Sequence, residues 1–279
     1  PCSYDLFITA LTGAVESGDV PPARVDDAVR RILTVKFQLG LFERPFSNDA
    51  LLEDVGSETH RELAREAVRQ SLVLLRNEGD LLPLDPTQPQ ILLSGGGVHD
   101  IGMQCGGWTI SWQGSNGDIV PGTTILDAIE AAVSPETEVV YDRFGRFEDV
   151  EGTASVGIAV VGEDPYAEGR GDDSNLALSE TDLEMLERIR GKVERLVVIM
   201  VAGRPMIVTD YVEDWDGFVA AWLPGTEAQG IADVLFGDYA FVGKLPYTWP
   251  RSADQLPQGA MDQDEALFPL GFGLTAGGE

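Results

Sequence analysis

Two short runs constrain this fold more than any other feature. Val156-Gly157-Ile158-Ala159-Val160-Val161 and Leu196-Val197-Val198-Ile199-Met200-Val201 are apolar almost throughout and rich in β-branched side chains. A strand with one wet face alternates polar and apolar residues, whereas a strand without alternation is covered on both faces. The surrounding chain supplies the covers. From Ser57 onward the pattern predicts a helix to about residue 70, strands at 71–76 and 90–94, a helix over 123–133, and strands at 137–141 and 156–161. A helix over 180–190, strands at 195–201 and 217–222, a helix over 226–236 and a short strand near 245–248 follow. Ser179 and Asp182 form an N-cap signal for the helix over 180–190. The expected fold is α/β: a three-layer α/β/α sandwich with a mainly parallel sheet of about six strands.

The first 57 residues read differently. Helical apolar spacing runs over 4–18 (Leu6, Phe7, Leu11, Val15) and more strongly over 23–39 (Val25, Val29, Ile32, Leu33, Phe37). Pro21 and Pro22 precede the second helix and Gly40 ends it. Neither helix has a strand of its own to cover, so the expectation is that they pack on elements outside these residues. Residues 43–57 are acidic and aperiodic and read as a linker. The expected organisation is thus 1–42, a linker at 43–57, and a sandwich domain at 58–279.

Charge narrows the partners. There are 19 basic and 47 acidic residues, a net charge of −28. Such a surface repels nucleic acid and anionic membranes, so neither is an expected partner. Only Lys36, Lys192 and Lys244 are lysines, a balance that suits a protein working in high salt or an ordinary acidic enzyme. The longest apolar stretch, Leu196 to Ala202, is far too short for a membrane helix. Cys2 and Cys105 are too few for a disulfide framework.

Three constellations carry possible chemistry. The first follows the run at 156–161: Gly162-Glu163-Asp164-Pro165-Tyr166-Ala167-Glu168-Gly169-Arg170-Gly171-Asp172. Buried strands that open into polar, glycine-rich loops are where α/β proteins place their sites. A carboxyl group partly shielded beside Tyr166 and Pro165 can hold its proton near neutral pH and act as an acid. The bland alternative is a solvated acidic loop, and the spacing does not match an EF-hand. The second is Gln104 to Gly114, with Trp108 and Trp112 among glycines. Flat aromatic rings in such a loop suit stacking on sugars. Tryptophans are also common core residues, and the expectation is one ring toward ligand and one structural. The third, Gly95-Gly96-Gly97, lacks the GxGxxG and Walker context and reads as a tight turn. His60 and His99 have no sequence partners for a triad or a zinc site, and no GxSxG elbow occurs.

Taken together, these segments resemble glycoside hydrolase family 3, most closely its plant and bacterial β-D-glucan glucohydrolase branch. Arg24 to Leu33 with Lys36 to Phe42 resembles the last helix of the family's (β/α)8 barrel. His60 to Asn77 resembles the start of its second domain. QCGGWTISWQG, GEDPYAEGRGD, AGRP at 202–205, AAWLPGTEAQGIADVLFGD at 220–238 and LFPLGFGLT follow in the family's order.

The resemblance implies a retaining, exo-acting β-glucosidase that removes terminal non-reducing β-D-glucosyl residues from β-glucans or β-glucosides. It implies the general acid/base at Glu168 and sugar contacts at Trp112 and Trp108. Glu163, Tyr166 and Asp172 become supporting residues, with no metal and no cofactor. The family's nucleophilic aspartate follows a serine on the barrel, and no Ser-Asp pair occurs in this sequence. The nucleophile is therefore expected outside this chain, on the N-terminal barrel domain of the same enzyme, and the chain alone is expected to be inactive. The family favours a secreted or periplasmic location. The alternative reading is a non-catalytic carbohydrate-binding or interaction module that joins a separate barrel subunit.

Overall fold

A computed structural model describes residues 3–256 and 263–277; Cys2 lies outside the described residues. The chain divides into two compact units, Pro1–Ser57 and Glu58–Glu279.

The first unit holds helices α1 (Tyr4–Glu16) and α2 (Pro22–Gln38), neither with a buried residue. Helix α2 starts one residue earlier than predicted because Pro22 occupies its first turn, where a missing N–H costs nothing. It stops as the sequence indicates. Gly40 takes φ +67°, and the Gly40 and Leu41 amides donate to the Phe37 and Lys36 carbonyls at 3.0 and 3.1 Å. This left-handed end satisfies carbonyls that the helix leaves open. The linker segment contains one 3-10 stretch, Asp49–Asp54.

The second unit is the α/β sandwich. It runs α3 (Glu58–Ser71), β1 (Val73–Asn77), β2 (Gln90–Ser94), a single-turn α4 (Ile101–Cys105), α5 (Ile125–Ala132) and β3 (Glu138–Tyr141). Then come β4 (Ala154–Gly162), α6 (Glu180–Arg190), β5 (Val193–Val201), β6 (Gly217–Trp222) and α7 (Gln229–Leu235). The six strands lie in the order β1-β6-β5-β4-β2-β3. All neighbours are parallel except β1 with β6.

The two apolar runs sit side by side at the centre, paired from Ala154↔Val193 to Gly162↔Val201. Their lack of alternation has the expected cause. Val197, Ile199 and Val201 pack on one face with Val68 of α3, Ile125 and Ile129 of α5, and Ile231 and Leu235 of α7. Leu196, Val198 and Met200 pack on the other with Met185, Leu186 and Ile189 of α6.

Several predicted boundaries shift, and β4 and β5 each begin two residues earlier than expected, at Ala154 and Val193. Helix α3 runs on to Ser71, so β1 begins at Val73. Helix α5 begins only after Thr124, whose hydroxyl accepts from the Asp127 amide in a capping box. Helix α7 begins at Gln229 rather than 226. The strand expected near 245–248 does not form. Pro246 and Pro250 lack the N–H groups a ladder needs. The segment makes scattered bonds instead, Leu245 amide to Phe272 carbonyl and a single bridge between Trp249 and Phe268. The short helix α4 adds to the predicted elements; Asp100 caps it by accepting from the Met103 amide at 2.8 Å. Gly95 is the tight turn expected of it. At φ +114°, a Cβ there would lie 2.0 Å from the Val160 carbonyl oxygen.

Candidate active site

The site is assembled by three loops at the carboxyl end of the sheet. Strand β4 delivers Glu163, β5 delivers Arg204, and the segment after α4 delivers the tryptophans. Glu163 and Arg204 stay in register because the Glu163 amide continues the β4–β5 ladder to the Val201 carbonyl.

Arg204 organises the acidic loop. Its Nη2 donates to Glu163 Oε1 at 2.6 Å, and its Nε reaches both carboxylate oxygens at 3.1 and 3.2 Å. Its Nη1 donates to the Gly171 carbonyl at 2.6 Å, and its guanidinium lies 4.6 Å over the Tyr166 ring. The planar fork thus ties the start of the loop to its end, which a point charge does not do. The Tyr166 hydroxyl donates to Glu163 at 3.2 Å. Burial, then the Glu163 charge, push that hydroxyl up to about 12, so it remains a donor. Two glycines let backbone and ring close up. A Cβ at Gly171 would lie 2.2 Å from the Tyr166 ring, and one at Gly107 would lie 1.9 Å from the Tyr166 carbonyl oxygen.

Glu168 projects from this scaffold into solvent. The Trp112 indole N–H donates to its Oε2 at 2.6 Å. That bond, aided by the Glu168 backbone, holds the carboxyl below the usual glutamate range. The expectation of a shielded, proton-holding carboxyl is therefore not met at Glu168. The exposed acid is stabilised as an anion, and the shielded one, Glu163, is locked to Arg204.

The tryptophans also depart from expectation. Neither is structural: Trp108 is 70% exposed and Trp112 54%. Their loop folds back on itself, with the Trp108 amide donating to the Trp112 carbonyl at 3.0 Å, and turns both rings outward with centroids 6.5 Å apart. Trp108 and Ile110 take φ of +62° and +61°, strain of about 1 kcal/mol or more each, which a fold keeps where a loop must hold a set shape.

The other acids have local duties. Asp164 accepts from Asn116 at 2.7 Å. Asp173 accepts from the Asn175 and Leu176 amides. Asp172 is exposed and joins the loop through its amide, which donates to the Gly169 carbonyl at 3.3 Å. His99 Nδ1 lies 3.2 Å from the Thr124 hydroxyl. Among the described residues no three His, Cys, Asp or Glu side chains converge as metal ligands. Burial pushes the Cys105 thiol up, away from reactivity.

Sequence reasoning missed Arg204, Gln113 and Asp182 as site residues. Arg204 lies in the AGRP segment, but its target is 41 residues away. Asp182 opens α6 and faces a cleft of about 710 Å³ that also touches Gly96, Arg143, Glu163, Tyr166 and Arg204. The cleft sits between β2 and β4, where the chain leaves the sheet in opposite directions, the usual place for a ligand in such folds. Burial pushes the Asp182 carboxyl up to about 6.

Comparison with known proteins identifies the family and the fold. Residues 72–276 match the glycosyl hydrolase family 3 C-terminal domain. The chain is 32% identical over 271 residues to a lysosomal β-glucosidase of Dictyostelium discoideum, covering 90% of this chain and 33% of that protein. It is 29% identical to a periplasmic β-glucosidase of Salmonella typhimurium, covering 88% of this chain and 37% of that protein. The exo-1,3/1,4-β-glucanase of a Pseudoalteromonas species superposes with a TM-score of 0.85 at 34% identity, over 97% of this chain and 35% of that one. The chain therefore spans less than half the length of these relatives. With the family match extending over most of its length, the chain belongs to glycosyl hydrolase family 3 and carries that family's C-terminal domain.

Proposed function

We propose that this chain supplies the acid/base half of a retaining β-glucosidase or exo-β-glucanase, acting on terminal non-reducing β-D-glucosyl residues. The activities for which its relatives are named, β-glucosidase and exo-1,3/1,4-β-glucanase, support the substrate class. The observation that carries the reading is the Trp112–Glu168 hydrogen bond, which sets a proton-transfer group against an exposed aromatic platform.

In the first step Glu168, protonated, gives its proton to the glycosidic oxygen as the C1–O bond breaks. A carboxylate from the barrel domain, outside this chain, bonds to C1 from the other face. In the second step Glu168, now ionised, takes a proton from the water that displaces that carboxylate. The Trp112 N–H favours the ionised form and so serves the second step. Covering Glu168 with a sugar removes water from the carboxylate, which favours the protonated form needed for the first. Trp112 and Trp108 stack against the leaving-group side of the substrate. Glu163 and Tyr166, locked by Arg204, hold the loop in shape, and Asp172 contributes through its backbone. The reaction as written uses only carboxylates and water.

The test is Glu168→Gln in the protein that joins this chain to its barrel. kcat/KM should fall about 10²–10⁴-fold on phenyl β-D-glucoside, whose leaving group needs a proton. It should fall far less on 2,4-dinitrophenyl β-D-glucoside. Equal losses on both would remove Glu168 from the acid role. The chain alone should hydrolyse neither substrate; turnover that Glu168→Gln abolishes would place a nucleophile within these residues.

A further inference from the structure

We infer that Gln113 is a positioning residue for Glu168, clasping the Ala167–Glu168 segment so that the acid and the Trp112 platform keep a fixed relation. The inference rests on the reading of Glu168 as the acid/base.

The Gln113 side-chain amide bonds to the loop twice. Its Oε1 accepts from the Ala167 amide at 2.9 Å, and its Nε2 donates to the Glu168 carbonyl at 3.3 Å. One side chain thus does what a neighbouring strand does in a sheet. It satisfies a donor and an acceptor on consecutive residues and sets the direction of the Cα–Cβ bond between them.

Little else holds Glu168. Ala167 is buried, but Glu168, Gly169 and Arg170 are exposed. Gly169 takes φ +83° with nothing within 4 Å of a Cβ placed on it, so the chain is unpacked at that residue and returns to the scaffold at buried Gly171, whose amide donates to the Ala167 carbonyl at 2.9 Å. The carboxylate tip is held by indole N–H groups, Trp112 first and Trp108 after it, and its backbone by the Gln113 amide. All three side chains come from one loop. That loop is pinned at Gly114, where a Cβ would lie 2.6 Å from the Gly106 carbonyl oxygen and 2.7 Å from Pro165 Cβ. A sugar seated on Trp112 therefore meets an acid whose position is set from the same loop.

A misplacement of about 1 Å at a catalytic group costs on the order of 10²-fold in rate. Losing the clasp should therefore weaken proton donation while leaving the fold and the sugar contacts in place. The test uses Gln113→Met, which keeps the bulk and removes both hydrogen bonds, with Gln113→Ala and Glu168→Gln alongside, in the barrel-bearing protein. Gln113→Met should lower kcat/KM on phenyl β-D-glucoside about 10- to 100-fold and on 2,4-dinitrophenyl β-D-glucoside by no more than about threefold. Its thermal midpoint should stay at the wild-type value, and Gln113→Ala should match it. Equal losses on the two substrates, no loss on either, or a loss that tracks a fall in thermal midpoint would each overturn the clasp. If Glu168→Gln discriminates between the substrates and Gln113→Met does not, the clasp alone fails. If Glu168→Gln does not discriminate, Glu168 is not the acid and both readings fall.

Discussion

Two arginine–carboxylate clusters serve different ends of the sandwich. On one face, Arg65 and Arg69 of α3 grip Asp233 of α7 at 2.5–2.7 Å. At the carboxyl end of the sheet, Arg204 grips Glu163 and the Gly171 carbonyl at 2.6–3.2 Å. The bonds are alike, but what they join is not. Asp233 is buried between two helices that already share an apolar core through Val68 and Ile231. Glu163 and Gly171 belong to a loop above the strand ends, where polar contacts and glycine-dependent close approaches give the segment its shape. The first cluster should therefore register in stability and the second in activity.

The largest effect expected from breaking this contrast is at Asp233. Burial alone would push its carboxyl up, yet the bonds from Arg65 and Arg69 outweigh burial and hold it below the usual aspartate range. Asp233→Asn should cost roughly 2–3 kcal/mol, less than a fully buried pair because the Arg65 side chain is a third exposed. Denaturant unfolding checks this, with kcat expected to stay at the wild-type value. The sign with pH follows from the lowered value. The stabilisation is complete above the ordinary aspartate pKa and lost as pH falls through the folded-state one, so the variant's stability should fall less steeply in acid.

Next is Arg204→Lys, which keeps the charge and loses the fork. It should reduce kcat/KM on phenyl β-D-glucoside roughly 10- to 100-fold through loop misplacement while costing at most about 1 kcal/mol of stability. A loss of stability as large as that of Asp233→Asn would erase the distinction between the clusters.

Smaller still is Arg61→Met. Arg61 Nε lies 3.0 Å from buried Glu227, but the arginine is 43% exposed, so the cost should be about 1 kcal/mol or less. Finally, Trp112→Phe removes the bond that lowers Glu168 and keeps an aromatic ring. The Glu168 pKa should rise, and the alkaline limb of the kcat/KM–pH profile, where the acid loses its proton, should move to higher pH. An unmoved limb would separate Trp112 from the protonation of Glu168.

The helix-to-helix cluster was partly legible. Arg61, Arg65 and Arg69 recur every fourth residue along α3, which places them on one face of a helix. That the face meets Asp233 was not legible, because the partner lies 168 residues from Arg65. The loop cluster shows the same division. GEDPYAEGRGD and AGRP announce themselves by composition and by family likeness, but nothing local says that Arg204 closes the loop around Tyr166.

Local physics wrote the central strands, the helix ends at Gly40 and Ser179, and the need for glycine at the turn after β2. Each depends on apolar periodicity, a cap or a backbone angle set within a few residues. The protonation of Glu168 and the exposure of both tryptophans followed no such local rule. They depend on what lies within a few ångströms across the loops, and Trp112 and Gln113 reach Glu168 from 56 and 55 residues away. A carboxyl group's charge is set by its neighbours in space, and only the folded chain brings those neighbours to it.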